Sequence, residues 1–254
     1  MTTIFTLYLV LSLSPVASAV NGEAHLNRYD LLLERYVEGD RVRYDAWREN
    51  EEDHAALSGI AAALEATDPA SLDEPSRQAL YINLYNAKTL QLVLDGNPKE
   101  SIRELSKARF GFGIFFKEIV DFDGKTISLN ALEKRLREES GDPRVHFAVH
   151  CASHSCPGLL DEAFRGERLD EQLEHQSFAY LERADAMLIE ERPGGPPVVR
   201  LSKIFDWYAK DFGGASGVRE FVRRYAPVER RDALAGGFRI AYLDYDWSLN
   251  RVVD

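Results

Sequence analysis

Cysteine is scarce in this chain. Two residues in 254 are cysteine, Cys151 and Cys156, so no cysteine near the N-terminus is available for a lipid anchor. A block of Lys and Arg is also missing, and the formal net charge is −11. That balance argues against nucleic acid and anionic lipid as main partners. No Gly-rich loop is followed by Lys-Ser or Lys-Thr, so no phosphate loop is encoded. Internal repeats, low-complexity tracts and Pro/Gly-rich interdomain linkers are absent as well. The apolar run Ile4 to Leu13 is about half the ~20 residues that span a bilayer, and no other stretch is long enough.

That run has a different reading. It is followed by Pro15 and the small residues Ala17-Ser18-Ala19, the layout of a secretory signal peptide, although no Lys or Arg precedes it. The expectation is a signal over residues 1–19, export to the periplasm or beyond, and one domain over residues 20–254. A chain 45% hydrophobic and 11% aromatic can bury a sizeable core.

Periodicity predicts helices over Leu26–Val37 and Glu52–Ala66. A third starts after Asp73, with Pro75 in its first turn and Gly96 just beyond its end. The stretch Ala79 to Leu94 is apolar almost all round and therefore buried. Its Asn83 and Asn86 need fixed partners or must line a polar cavity, because a buried amide without partners costs ~1–3 kcal/mol. Phe116–Phe122 and Lys125–Ile127 flank Asp123-Gly124 as a hairpin. Ser128 caps a helix running through Glu138. Val145–Cys151 alternates as a strand does. Further helices cover Glu167–Ala184, Ser202–Phe212, Val218–Tyr225 and Glu229–Leu234. Ala186–Ile189 and Val198–Leu201 form a long-tipped hairpin, and Phe238–Tyr242 is a closing strand. The fold class is α+β: a mostly helical single domain with a small, largely antiparallel sheet.

Chemistry concentrates in HFAVHCASHSCP, His146 to Pro157, which holds both cysteines and three of the six histidines. Four readings stand. Cys151 and Cys156 can form a disulfide in an oxidising compartment. Alternatively, Cys156 is a catalytic thiol at the N-cap of a helix Pro157–Phe164, its thiolate favoured by the helix dipole. His146 then serves as base and Glu133 as the acid that orients it, with Asp246 the second choice. His146, His150 and His154 recur every four residues, as metal ligands on one helix would, but the strand-like alternation and Pro157 break that helix. Last, the group can be buried cysteines and satisfied core histidines. Asn83, Asn86, His150 and Ser155 are the expected pocket-lining residues. No metal or cofactor is called for.

The blocks YINLYNAKTLQLVL, SIREL, ISLNALEKRLR, DPRVHFAVHCASHSCPGL, LSKIFDWYAKDF and LDYDWSLN occur in that order between residues 79 and 250. In this series the chain resembles the bacterial and plant family known as domain of unknown function 547. The resemblance implies fold membership, with Asn83, Asn86, Glu133, His146 and Cys156 at matching positions. It implies no reaction. At position 150 the family usually carries Asn, so His150 is a poor choice for an obligatory base. In Leu201–Phe212, Ile204, Phe205, Tyr208 and Phe212 keep helical spacing and read as core, while Asp206 and Asp211 read as solvated or capping. Two functions follow: a thiol-dependent hydrolase or acyltransferase acting on an amide or ester of an unknown small molecule or peptide, or a non-enzymatic envelope binding module stapled by Cys151–Cys156.

Overall fold

The computed structural model describes residues 15–106 and 112–252. Most of the expected signal segment, residues 1–14, lies outside the described residues. From Pro15 the chain is helical: α1 (Pro15–Tyr36) begins well before the expected Leu26. A short antiparallel pair, β1 (Val37–Glu38) and β2 (Arg41–Val42), follows. Next come α2 (Tyr44–Glu49) and α3 (Glu51–Glu65), with Asn50 capping the latter by accepting from the Asp53 N–H. Tyr36 and Trp47 stack at 4.7 Å, and buried Asp53 accepts from Tyr36 at 2.8 Å and Arg35 at 2.5 Å.

The central element is α4 (Glu74–Gly96). Asp73 accepts from the Ser76 N–H and Pro75 sits in the first turn, as the sequence indicates. Every residue from Gln78 to Ala87 is buried. The helix ends one residue later than expected. Asn97, in the left-handed region at φ 46°, closes it, and Gly96 is its last residue. A Cβ at Gly96 would lie 2.4 Å from the Leu105 side chain, so the glycine permits a close approach.

The hairpin β3 (Glu118–Phe122) and β4 (Lys125–Ser128) turns through Asp123 and Gly124, both with positive φ. Ser128 caps α5 (Leu129–Ser140). After α6 (Leu169–Glu182), β5 (Met187–Glu190) pairs antiparallel with β6 (Val198–Leu201). The short α7 (Ile204–Trp207), α8 (Gly214–Tyr225) and α9 (Arg231–Ala235) lead to β7 (Arg239–Tyr242), which joins β6 in parallel. The result is a mostly helical α+β fold with small, mostly antiparallel sheets.

Two expectations around the cysteine segment fail. Val145–Cys151 is not a strand. Asp142 accepts from the Arg144 N–H and Pro143 opens a 3-10 turn, Pro143–Phe147. Beyond it, the Ala148 carbonyl and the His150 N–H are bound by the Asn86 side chain at 2.9 and 2.8 Å instead of by a neighbouring strand. Pro157–Phe164 is not a helix either. Its backbone is claimed from outside: Gln176 donates to the Gly158 carbonyl, Asp30 accepts from Ala163 N–H, and Asn83 binds both the N–H and C=O of Phe164. Backbone groups satisfied by fixed side chains have no need of a helical ladder.

The buried apolar residues form two clusters. One gathers α1 to α5 and the first part of α6; the other gathers the end of α6, the three-stranded sheet and α7 to α9. Phe147 belongs to the second, whereas Ala148, Val149 and Ala152 belong to the first. The segment His146–Pro157 therefore runs along the seam.

Candidate active site

The cysteine segment is an irregular loop held from three sides. Asn86 on α4 fixes its start. The C-terminal tail straps its middle: His154 N–H donates to Ser248 O, Ser155 N–H to Asp246 O, and Asn250 N–H to Ala152 O. Arg183, just past α6, donates to the carbonyls of His154 and Cys156 at 2.6 and 2.8 Å while paired with Asp185. Within this frame Ala152, wholly buried, is held at φ 60°. An alanine in the left-handed region costs about 1–2 kcal/mol, so the residue next to Cys151 is strained.

Beside the loop lies a cavity of about 490 Å³. Both cysteines line it, as do His146 and Glu133. The three residues expected from the sequence as catalytic thus line one cavity, with contacts that differ from those expected. Cys156 is 5% exposed, and its sulfur accepts the Cys151 N–H at 2.8 Å. With no helix behind it, burial and the adjacent Cys151 push its thiol well up. Cys151 is the more exposed of the two and is unbridged, as is Cys156. Burial pushes the Cys151 thiol up too, but hydrogen bonds from Cys156, Ser153 and Tyr245 outweigh it and bring it to about 7. The hydroxyls of Ser153 and Tyr245 stand 2.9 and 3.5 Å from its sulfur.

His146 is buried, and its Nε2 lies 2.9 Å from Asp211 Oδ2. Its ring packs on Tyr208 at 4.1 Å and Phe212 at 5.7 Å. Burial pulls its pKa down to about 4 against the opposing pull of Asp211, so the ring is neutral near pH 7. The Nε2 proton then points at Asp211, and Nδ1 carries the lone pair. Burial opposes ionisation of Asp211, yet Arg137, at 2.8 Å, and His146 hold its carboxyl below the ordinary range. The carboxylate in contact with His146 is therefore that of Asp211. Glu133 bonds Tyr208, and burial raises its pKa. Its nearest cation is Arg137 Nε, 3.6 Å away.

The expected pocket-lining set sits behind the cavity. Asn83 and Asn86 spend both ends of their amides on backbone. His150 is fully buried with Nδ1 2.8 Å from Pro157 O, and Ser155 Oγ accepts the Asp246 N–H. His154 faces Arg41, with Nδ1 2.6 Å from Nη1. The three histidines thus point at different partners, and among the described residues no group of His, Cys, Asp and Glu is arranged to hold a metal. Asp246 is exposed and accepts from Ser248 N–H, away from His146.

The walls missed by sequence reading are aromatic. Trp207, Tyr208, Tyr245 and Trp247 line the cavity together with Tyr85, Phe115 and Phe116. Trp207, Tyr245 and Trp247 pack on one another with centroids 4.5–5.8 Å apart. Of the wall residues, Tyr208 keeps the helical spacing of Leu201–Phe212 that carries the ordinary signal of a core helix. The helix stops at Trp207, and that break turns Tyr208 and Asp211 toward His146. A wider hollow of about 660 Å³ beside Arg41, Lys99, His154 and Arg251 has acidic as well as basic walls and no thiol.

A family model described as a protein of unknown function, DUF547, matches residues 69–181. The match contains α4, Glu133, His146 and both cysteines. Asp211 and the aromatic walls after Glu182 lie outside it. No curated protein and no solved structure matches the chain.

Proposed function

We propose, from the match of a DUF547 family model to residues 69–181 and from the geometry around it, that the cavity is a thiol-dependent acyl-transfer site, a hydrolase or acyltransferase acting on an amide or ester. Cys151 is the nucleophile, His146 the base and Asp211 its orienter, while Cys156 and Tyr245 stabilise the thiolate. One observation carries this reading: a thiol that hydrogen bonds with Cys156, Ser153 and Tyr245 bring to about 7 lines the same cavity as a neutral histidine whose far nitrogen is held by a carboxylate.

In the first half-reaction the Cys151 sulfur attacks the acyl carbon and the C–S bond forms. The C–N or C–O bond breaks, and the leaving group takes the proton that His146 Nδ1 received from the thiol. In the second, water or an acceptor amine or alcohol gives a proton to His146 and attacks the thioester. The C–S bond breaks and the thiolate returns. Asn130 and Tyr245 are cavity-lining donors suited to the oxyanion.

This reading makes residues 20–254 one functional unit, because the cavity takes walls from both apolar clusters. The signal-like segment 1–19 supports export as part of this proposal; N-terminal sequencing that finds Val20 first in the exported chain is the expected outcome, and a retained Met1 overturns it. Among the described residues no helix is long and apolar enough to cross a membrane.

A second reading keeps the fold and drops the chemistry. The 2.8 Å contact between Cys151 N and Cys156 Sγ brings the Cys156 sulfur against Cys151. A bridged pair would leave a non-enzymatic binding module. The test is a thiol count on unreduced protein, followed by hydrolysis of neutral aryl esters and amides. Two free thiols and an activity lost in Cys151→Ala and His146→Gln support the enzyme. A complete Cys151–Cys156 bridge, or activity unchanged in Cys151→Ala, overturns it.

A further inference from the structure

Trp207 and Phe116 are 50% and 62% exposed, two of the five large apolar side chains left open to solvent among the described residues. Both line the thiol cavity. Exposed aromatic surface gathered at one hollow, unlike single scattered apolar residues, signals a ligand. The walls are rings more than aliphatic chains, and Val149, Pro157 and Ile204 supply the rest of the apolar lining. Trp207 and Trp247 lie near parallel at 27° with centroids 5.8 Å apart, so their ring systems form a continuous stacked wall. No Lys or Arg lines the cavity among the described residues, while Glu133 does. Arg137 stands behind Glu133 and is committed to Asp211.

From these features we infer that the acyl group taken by the cavity is uncharged and carries a planar aromatic ring, stacked on the Trp207 wall with its carbonyl toward Cys151. The inference rests on the acyl-transfer reading for the direction of the carbonyl, but not for the binding itself. A ring gains stacking of about 0.5–1.5 kcal/mol beyond its area, which a linear chain of the same size does not. Among the described residues no cation lines the cavity to meet a carboxylate, which would face Glu133. A volume of about 490 Å³ suits a ligand of one or two rings.

The experiment separates binding from chemistry. The full-length Cys151→Ala protein is titrated with phenylacetamide, with hexanamide, and with phenylacetate, and binding is read from Trp fluorescence and calorimetry. Phenylacetamide is expected to bind about threefold to tenfold tighter than hexanamide, which is the stacking increment expressed as affinity. Phenylacetate is expected to be weaker still, and Trp207→Ala, whose side chain is half exposed, to remove the preference for the ring. Equal or tighter binding of hexanamide or of phenylacetate overturns the inference, as does Trp207→Ala protein that keeps the preference. Should Cys151→Ala bind the aryl amide while the unsubstituted protein hydrolyses no aryl ester, the ligand class stands and the catalytic reading falls.

Discussion

His146 Nε2 and Asp211 Oδ2 meet at 2.9 Å across 65 residues of sequence. The contact joins the turn before the cysteine loop to the end of the aromatic segment after α7. It selects the tautomer that leaves Nδ1 as the acceptor. Replacing Asp211→Asn removes the charge and lets the ring adopt the other tautomer. Turnover of a chromogenic aryl ester is expected to fall about 100-fold, in the range typical of general acid–base loss. Binding of the aryl amide should change little, which kcat and KM measured separately will show.

The two thiols should separate in alkylation. Iodoacetamide followed by peptide mass spectrometry is expected to label Cys151 first, with a rate midpoint at about pH 7. Cys156 should react only at higher pH or on unfolding. In Cys156→Ala, Cys151 loses a donor, and its midpoint should move up by a measurable fraction of a pH unit. Preferential labelling of Cys156 at neutral pH would reverse the assignment of nucleophile.

Stability should decline in mild acid. His146 and His150 are buried, and burial brings each to about 4 from an ordinary value near 6.5. A lowered histidine pKa means that the unfolded chain takes up the proton first. The stability each ring contributes is complete above about pH 6.5 and is lost as pH falls toward about 4. Glu133, raised by burial, works in the opposite direction over its own range. Urea midpoints from pH 7.5 to 4.5 should therefore fall, and His146→Gln should fall less steeply. An identical slope in the variant would show that His146 titrates normally.

Asn86 and Asn83 are expected to be structural. Each amide satisfies one backbone N–H and one carbonyl of a segment with no ladder of its own. Asn86→Ala leaves both buried groups unpaired, at ~1–3 kcal/mol each. Denaturant melts should show a loss of about 2–4 kcal/mol, with a comparable loss in Asn83→Ala.

Ala152 offers a test of strain. Ala152→Gly relieves the left-handed conformation at φ 60° and should fold with stability within about 1 kcal/mol of the unsubstituted protein. Ala152→Val places a β-branched side chain in that conformation at a fully buried position. It is expected to cost more than about 2 kcal/mol in the same melts.

The sequence by itself determined three features whose signal is local. Asp73 with Pro75, Ser128, and Asp123-Gly124 mark helix starts and a turn by chemistry that acts within four residues, and all three appear where they are read. The sequence also singled out Glu133, His146 and Cys156, and these three line one cavity. Tertiary structure decided the rest. Val145–Cys151 alternates like a strand, yet the Asn86 side chain takes the bonds a strand would have made. Pro157 offers a helix start, yet Gln176, Asp30 and Asn83 bind that backbone from other elements. Without the helix, Cys156 lost the dipole that favoured it. The donors that lower a thiol instead converge on Cys151, and one of them, Tyr245, is 94 residues away. Asp211 and the tryptophans could not be found from spacing, because which face of a broken helix meets a histidine 65 positions earlier is set by packing alone. Periodicity reports that a side chain is sheltered; only the fold decides whether the shelter is a core or a site.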